Sequence, residues 1–172
     1  MKSTVTAIFI SLFAAVSCIK DDPDPEFELK VGDMIPEFTV TMSDGTTMTS
    51  DRLSEGPAII MFFNTGCPDC QNTLPSVQKI YDEYKDQVSL ALISREQSEE
   101  EIKDYWQEKG YTMPFSAQPD RKIYNLFATS RVPRVYICND GKIVNFYTDD
   151  PILQYEDLVT DILSILYLDD NL

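Results

Sequence analysis

The run from Pro57 to Phe63, Pro-Ala-Ile-Ile-Met-Phe-Phe, places an apolar side chain on both alternating faces. A strand with that pattern has to be covered on both sides, as strands are in sheets packed against helices. Directly after it come Cys67 and Cys70, two residues apart, and then an apolar stripe of Leu74, Val77, Ile80, Tyr81 and Tyr84 at helical spacing. Strand, turn, cysteine pair and helix therefore follow one another within a single stretch.

The remaining chain extends this pattern. Two short β-prone runs flank Ser43-Asp44-Gly45 and predict a hairpin near the start of the fold. Residues 88–94 predict a second buried strand. Ser98 is a candidate N-cap for a helix with Glu99, Glu100 and Glu101 in its first turn and Gly110 at its end. A short helix is expected over 120–127. Asn139-Asp140-Gly141 separates two strand patterns in the manner of a tight hairpin, and an amphipathic helix is expected over 155–166. The order predicts an α/β fold: a central mixed β-sheet flanked by helices, with an N-terminal β-hairpin extension.

At 172 residues and 43% apolar content, one globular domain is expected. A formal net charge of −15 argues against a nucleic-acid partner, since no basic stripe offsets it. Histidine is absent, which removes Ser-His-Asp and Cys-His nucleophilic sites and His-bearing zinc sites.

Lys2 precedes an apolar segment from Val5 to Val16, too short to cross a bilayer core of roughly 30 Å. Residues 1–17 therefore read as a signal peptide. Ala15 and Ser17 lead into Cys18 in an arrangement resembling a bacterial lipobox, which implies lipidation of Cys18. The acidic, proline-containing residues 18–29 read as a tether, leaving 30–172 as the folded domain. Export and lipid anchoring to a bacterial outer membrane, on its periplasmic or cell-surface face, are expected, and disulfides persist there.

Cys67 and Cys70 could form a redox couple, part of a metal site or a structural disulfide. A structural zinc needs about four ligands, and no second pair or histidine supplies them. A loop this small gives a disulfide little unfolded-state entropy to remove. The redox reading has a mechanism. Pro68 suits the first helical turn, which puts Cys67 at a helix N-terminus where free N–H groups and the dipole favour a thiolate. Cys70 lies one turn further in, less exposed, and can resolve a mixed disulfide formed at Cys67. No cofactor is required.

The segments Val-Gly-Asp-Met-Ile-Pro-Glu-Phe (31–38), residues 58–75 and Ser-Arg-Val-Pro-Arg-Val-Tyr-Ile-Cys-Asn-Asp-Gly-Lys-Ile (130–143) resemble the thioredoxin-like superfamily. Within it, they look like membrane-anchored thiol-disulfide oxidoreductases of the TlpA/ResA type and AhpC/TSA-related lipoproteins. The resemblance implies a thioredoxin-like fold, a helix-kinking Pro75, and a cis Pro133 beside Cys67 and Cys70. It also implies that Gly66, Pro68 and the backbone of Val132 contact a bound substrate strand. Exported disulfide proteins and a separate redox partner are the implied partners, with the protein acting as a monomer.

Three positions depart from the family pattern. Gly66 stands where an aromatic is usual, Met61 where thioredoxins have a buried acid, and Thr73 where ResA-like proteins carry Glu. A tyrosine, water or Asp69 would have to take the buried thiol's proton. Asp69 opposes thiolate formation, and Arg134 is the only basic residue expected near Pro133. Both points favour a potential below roughly −200 mV. Cys138, in a predicted core strand, reads as a small buried hydrophobe. The alternatives are a non-catalytic binding module and a peroxiredoxin-like peroxidase. The latter would need Thr or Ser at Asn64 and Pro at Ile60.

Overall fold

The computed structural model describes residues 27–168; the expected signal peptide, Cys18 and the tether up to residue 26 lie outside them. The chain first forms a hairpin of β1 (Thr39–Thr41) and β2 (Thr47–Thr49), followed by one turn of helix, α1 (Ser50–Leu53). Next come β3 (Ala58–Phe63), α2 (Pro68–Tyr84), β4 (Ser89–Ser94), α3 (Glu99–Lys109) and β5 (Phe115–Ser116). The last elements are β6 (Arg134–Asn139), β7 (Lys142–Tyr147) and α4 (Tyr155–Leu168).

The main sheet runs β5-β4-β3-β6-β7, with β3 parallel to β4 and antiparallel to β6. Every residue of β3 is buried, as its apolar run requires. Adjacent residues of β3 reach opposite faces. Phe63 meets Trp106 of α3 at 5.2 Å between ring centroids, while Phe62 meets Tyr124 at 5.4 Å and Phe127 at 4.9 Å. Trp106 is core, its indole N–H donating to the Met113 carbonyl at 2.9 Å. Helix α4 packs on α2.

The expected elements form with small differences. Ser98 and Glu101 make a reciprocal capping box at the start of α3, and Gly110 ends it in the left-handed region. Asp140 and Gly141 both have positive φ, 49° and 75°, as the two-residue turn between β6 and β7 demands. The helix expected over 120–127 is instead a single 3₁₀ turn, Tyr124–Leu126. A 3₁₀ turn eclipses positions i and i+3, and this brings both Tyr124 and Phe127 onto Phe62. Neither α1 nor β5 was expected: four and two residues are too few to show periodicity.

Phe27, the first described residue, already contacts the fold. Glu28 bridges to Ala128, and the Thr129 N–H donates to the Phe27 carbonyl at 3.0 Å. The Arg134 guanidinium, 5% exposed, pairs with Glu28 and donates twice to the Ser130 carbonyl, at 2.8 and 3.3 Å.

Both outer strands of the sheet are covered in part. Beside β7, Gly32 N–H donates to Ile143 O, Ile143 N–H to Asp33 O and Ile35 N–H to Gly141 O, at 2.8–2.9 Å. Beside β5, Ser43 N–H donates to Phe115 O at 2.6 Å and the Ser116 hydroxyl to Thr41 O at 2.7 Å. Among the described residues, no helix is long and apolar enough to cross a membrane.

Candidate functional site

Strand β3 delivers the chain to a four-residue turn, Asn64-Thr65-Gly66-Cys67, before α2 begins at Pro68. The turn is closed by Cys67 N–H donating to Asn64 O at 3.1 Å and by Gly66 N–H donating to Asn64 Oδ1 at 2.9 Å. A Cβ on Gly66 would stand 3.2 Å from that same Oδ1, so a small residue suits a position where the family pattern has an aromatic. Thr65 is buried and held from two sides. Its N–H donates to Gln97 Oε1 at 3.0 Å, its hydroxyl meets Gln97 Nε2, and its carbonyl accepts from Gln71 Nε2 at 2.7 Å.

Cys67 is the N-cap of α2 and half-buried. Its thiol donates to the Val132 carbonyl at 3.3 Å. The Val132–Pro133 peptide bond is cis, matching the expectation. The Asp150–Pro151 bond is also cis, which was not expected. Tyr124 supports this loop from below, its hydroxyl donating to the Ser130 carbonyl at 2.6 Å and to that of Arg131. Gly66 and Pro68 are exposed on either side of Cys67, and Pro75 lies inside α2 as expected.

Cys70 is fully buried beside Cys67, its sulfur accepting the Asn64 backbone N–H. Burial pushes its thiol far above the ordinary range, and the Cys67 and Asp69 charges add to that; the Asn64 N–H opposes it. The pair therefore consists of one reachable thiol and one deep, protonated thiol. Met61 and Thr73 are both buried, and the Thr73 hydroxyl is committed to the Asp69 carbonyl at 2.9 Å. Of the expected stand-ins for the missing acid, Tyr105 lies within electrostatic range of Cys70. Burial raises its phenol above the usual value, so at neutral pH it keeps its own proton and is not a base for the Cys70 thiol.

The basic residues are arranged differently from expectation. Arg134 does not face the site: it turns inward to Glu28 and Ser130. Instead Arg95 and Arg131 line an open cleft of about 450 Å³ with Asn64, Gly66, Cys67, Val132 and Asp149. The lack of nearby cations, one of the two grounds for the reducing potential, does not hold. Arg131 lay in plain view two residues before Pro133. Arg95 and Gln97 could not be found from sequence, since only the parallel β3–β4 pairing, Phe63 beside Ser94, brings that loop to Cys67.

Cys138 sits opposite Ala58 at the far end of β3, roughly 17 Å from the Cys67 end by strand rise. Burial pushes its thiol up to about 12.

Known proteins share this fold. A thiol-disulfide oxidoreductase ResA from Oceanobacillus iheyensis is 27% identical over 142 residues, covering 78% of this chain and 72% of that protein. A solution structure from Bacteroides thetaiotaomicron superposes with a TM-score of 0.74 at 25% identity, over 81% of this chain and 91% of its own. A thiol:disulfide interchange protein of the thioredoxin family from Chlorobium tepidum shares the fold, with a TM-score of 0.68 at 16% identity over 80% and 98%. Residues 31–146 match the AhpC/TSA family, and the chain, with its thioredoxin-like sheet and paired cysteines at the head of α2, belongs to it.

Proposed function

We propose that the protein is a thiol-disulfide oxidoreductase that reduces or isomerises disulfides in exported proteins through Cys67 and Cys70. The observation that carries this reading is the asymmetry of the pair: a reachable Cys67 against the Val132 carbonyl, and Cys70 fully buried behind it. The Cys67 thiolate attacks one sulfur of a substrate disulfide. That S–S bond breaks, the other substrate sulfur leaves as a thiolate and takes a proton from water, and a mixed disulfide remains. Cys70 then gives its proton to water and attacks Cys67 Sγ, releasing the second substrate thiol. Two electrons and two protons pass to the substrate, and an external dithiol has to return them. If a substrate thiol attacks before Cys70 does, the outcome is isomerisation.

In this reading Pro133 shapes the wall of the site, and the Val132 backbone pairs with an extended substrate once the Cys67 thiol turns away from it. Gly66 and Pro68 leave the approach open. Cys18 carries the lipid, and residues 18–29 are the tether that joins it to the domain. The protein works as a monomer.

Insulin reduction with dithiothreitol as terminal reductant tests the activity. The wild type accelerates precipitation and Cys67→Ser does not. Equal rates for the two would overturn the proposal, and consumption of hydrogen peroxide in place of insulin reduction would favour a peroxidase.

A further inference from the structure

The cleft beside Cys67 has a charge opposite to that of the chain as a whole. The protein carries 14 basic against 29 acidic residues, yet two arginines and one aspartate line this cleft. Both arginines are loosely held. Arg121 and Arg134 sit in close pairs with Glu96 and Glu28. Arg131 stands 3.8 Å from Asp149, and Arg95 3.9 Å from Glu96, which is already engaged by Arg121. Arg95 Nε is buried and finds no hydrogen-bond acceptor among the described residues. Guanidinium groups left in this condition are matched by a carboxylate, which accepts two parallel N–H bonds.

We infer that Arg95 and Arg131 select substrate cysteines flanked by aspartate or glutamate, binding the carboxylate of an extended peptide beside Cys67. The inference rests on the disulfide-exchange reading above and adds a substrate class to it. An extended peptide fits better than a small anion. The cleft is open and runs past the Val132 backbone, and side chains one or two residues from the attacked cysteine lie about 3.4–7 Å along a strand. A charge there reaches the cleft wall without bending the chain.

The test uses three synthetic peptides, each closed by a single disulfide, that differ only in carrying Glu, Gln or Lys next to the cysteines. The rate of Cys67 attack on each is followed in Cys70→Ser protein at low ionic strength. Exposed charge pairs contribute about twofold to fivefold each, so Glu should outpace Lys about tenfold, with Gln between. The Glu/Lys ratio should shrink toward one in 0.5 M salt, and also within Arg95→Gln and Arg131→Gln proteins whose melting temperatures match the parent. A ratio near one at low salt overturns the inference, as does a Lys preference. A Glu preference that survives both substitutions overturns its assignment to these arginines. Faster attack on oxidised glutathione than on the Glu peptide overturns the peptide as occupant. No reaction with any peptide overturns the exchange reading itself, whereas equal reaction with all three leaves that reading standing and removes only the selectivity.

Discussion

Glu28→Ala should cost the fold about 3 kcal/mol, because it strands a nearly dry cation. Glu28 accepts from Arg134 and from Lys30, and its own side chain is 15% exposed. Arg134 is 6% exposed at its side chain, so no water replaces the lost carboxylate. Removing one partner of a buried pair costs about 3–5 kcal/mol. The two bonds from Arg134 to the Ser130 carbonyl survive and Glu28 is not wholly buried, which places this case at the lower end. For a domain of this size about 2–4 °C accompanies each kcal/mol, so the melting temperature should fall by about 6–12 °C. Urea unfolding followed by circular dichroism measures the free energy, and coincident fluorescence and dichroism transitions check two-state behaviour. Two controls separate charge burial from loss of contact. Lys30→Ala removes an exposed partner and should cost under about 1 kcal/mol. Arg134→Met added to Glu28→Ala removes the stranded charge and should recover most of the loss. A loss below about 1 kcal/mol for Glu28→Ala, or no recovery in the double variant, would refute the buried pair as the source.

Three further outcomes are expected. Cys70→Ser should accumulate mixed disulfides through Cys67 on non-reducing electrophoresis, Cys67→Ser should not, and Cys138→Ser should trap nothing by itself; an adduct mapped to Cys138 would contradict the assignment. Gly141→Ala should destabilise by about 1–3 kcal/mol in urea, since the position has φ 75° and a Cβ there would collide with the Ser54 hydroxyl; a neutral result would mean the β6–β7 turn adjusts freely. Stability should fall as pH rises above about 9, because Cys138 ionises in the unfolded chain from its ordinary value of 9.0 but in the folded one only near 12. The unfolded state then binds fewer protons, and the slope is at most about 1.4 kcal/mol per pH unit from this group; Cys138→Ser should flatten it, and an unchanged slope would locate the loss elsewhere.

Much of this was legible in the sequence because the relevant signals are local. The apolar run of β3, the capping box at Ser98 and the Asp140-Gly141 turn each carry their own structural reason within a few residues. The cysteine pair follows from the strand before it and the proline inside it. What escaped was set by pairing across the chain. Gln97 reaches Thr65 only because β4 lies parallel to β3, and Arg134 faces Glu28 only because residues from Phe27 onward fold back over the sheet. The direction an arginine takes near Pro133 depends on which face of β6 it occupies: both faces are buried, and Arg134 shares the face of Tyr136, where Glu28 reaches it. The short helix over 120–127 failed for a related reason: two aromatic rings had to land on Phe62, and eclipsed spacing does that better than an α-helical turn.

The covering of both sheet margins bears on life at high local density. Concentrated proteins meet one another far more often than dilute ones, and a bare strand margin is where such neighbours join into larger aggregates. Here residues Gly32–Ile35 lie along the start of β7 and the turn at Ser43 lies along β5, so each margin already has backbone groups engaged. Ser43 and Thr41 belong to the hairpin and Gly32–Ile35 to the N-terminal segment, parts that precede the β3–α2 unit carrying the cysteines. Shortening the chain to that unit would keep the two thiols and uncover both margins, and such a fragment should clump where the whole chain stays dispersed.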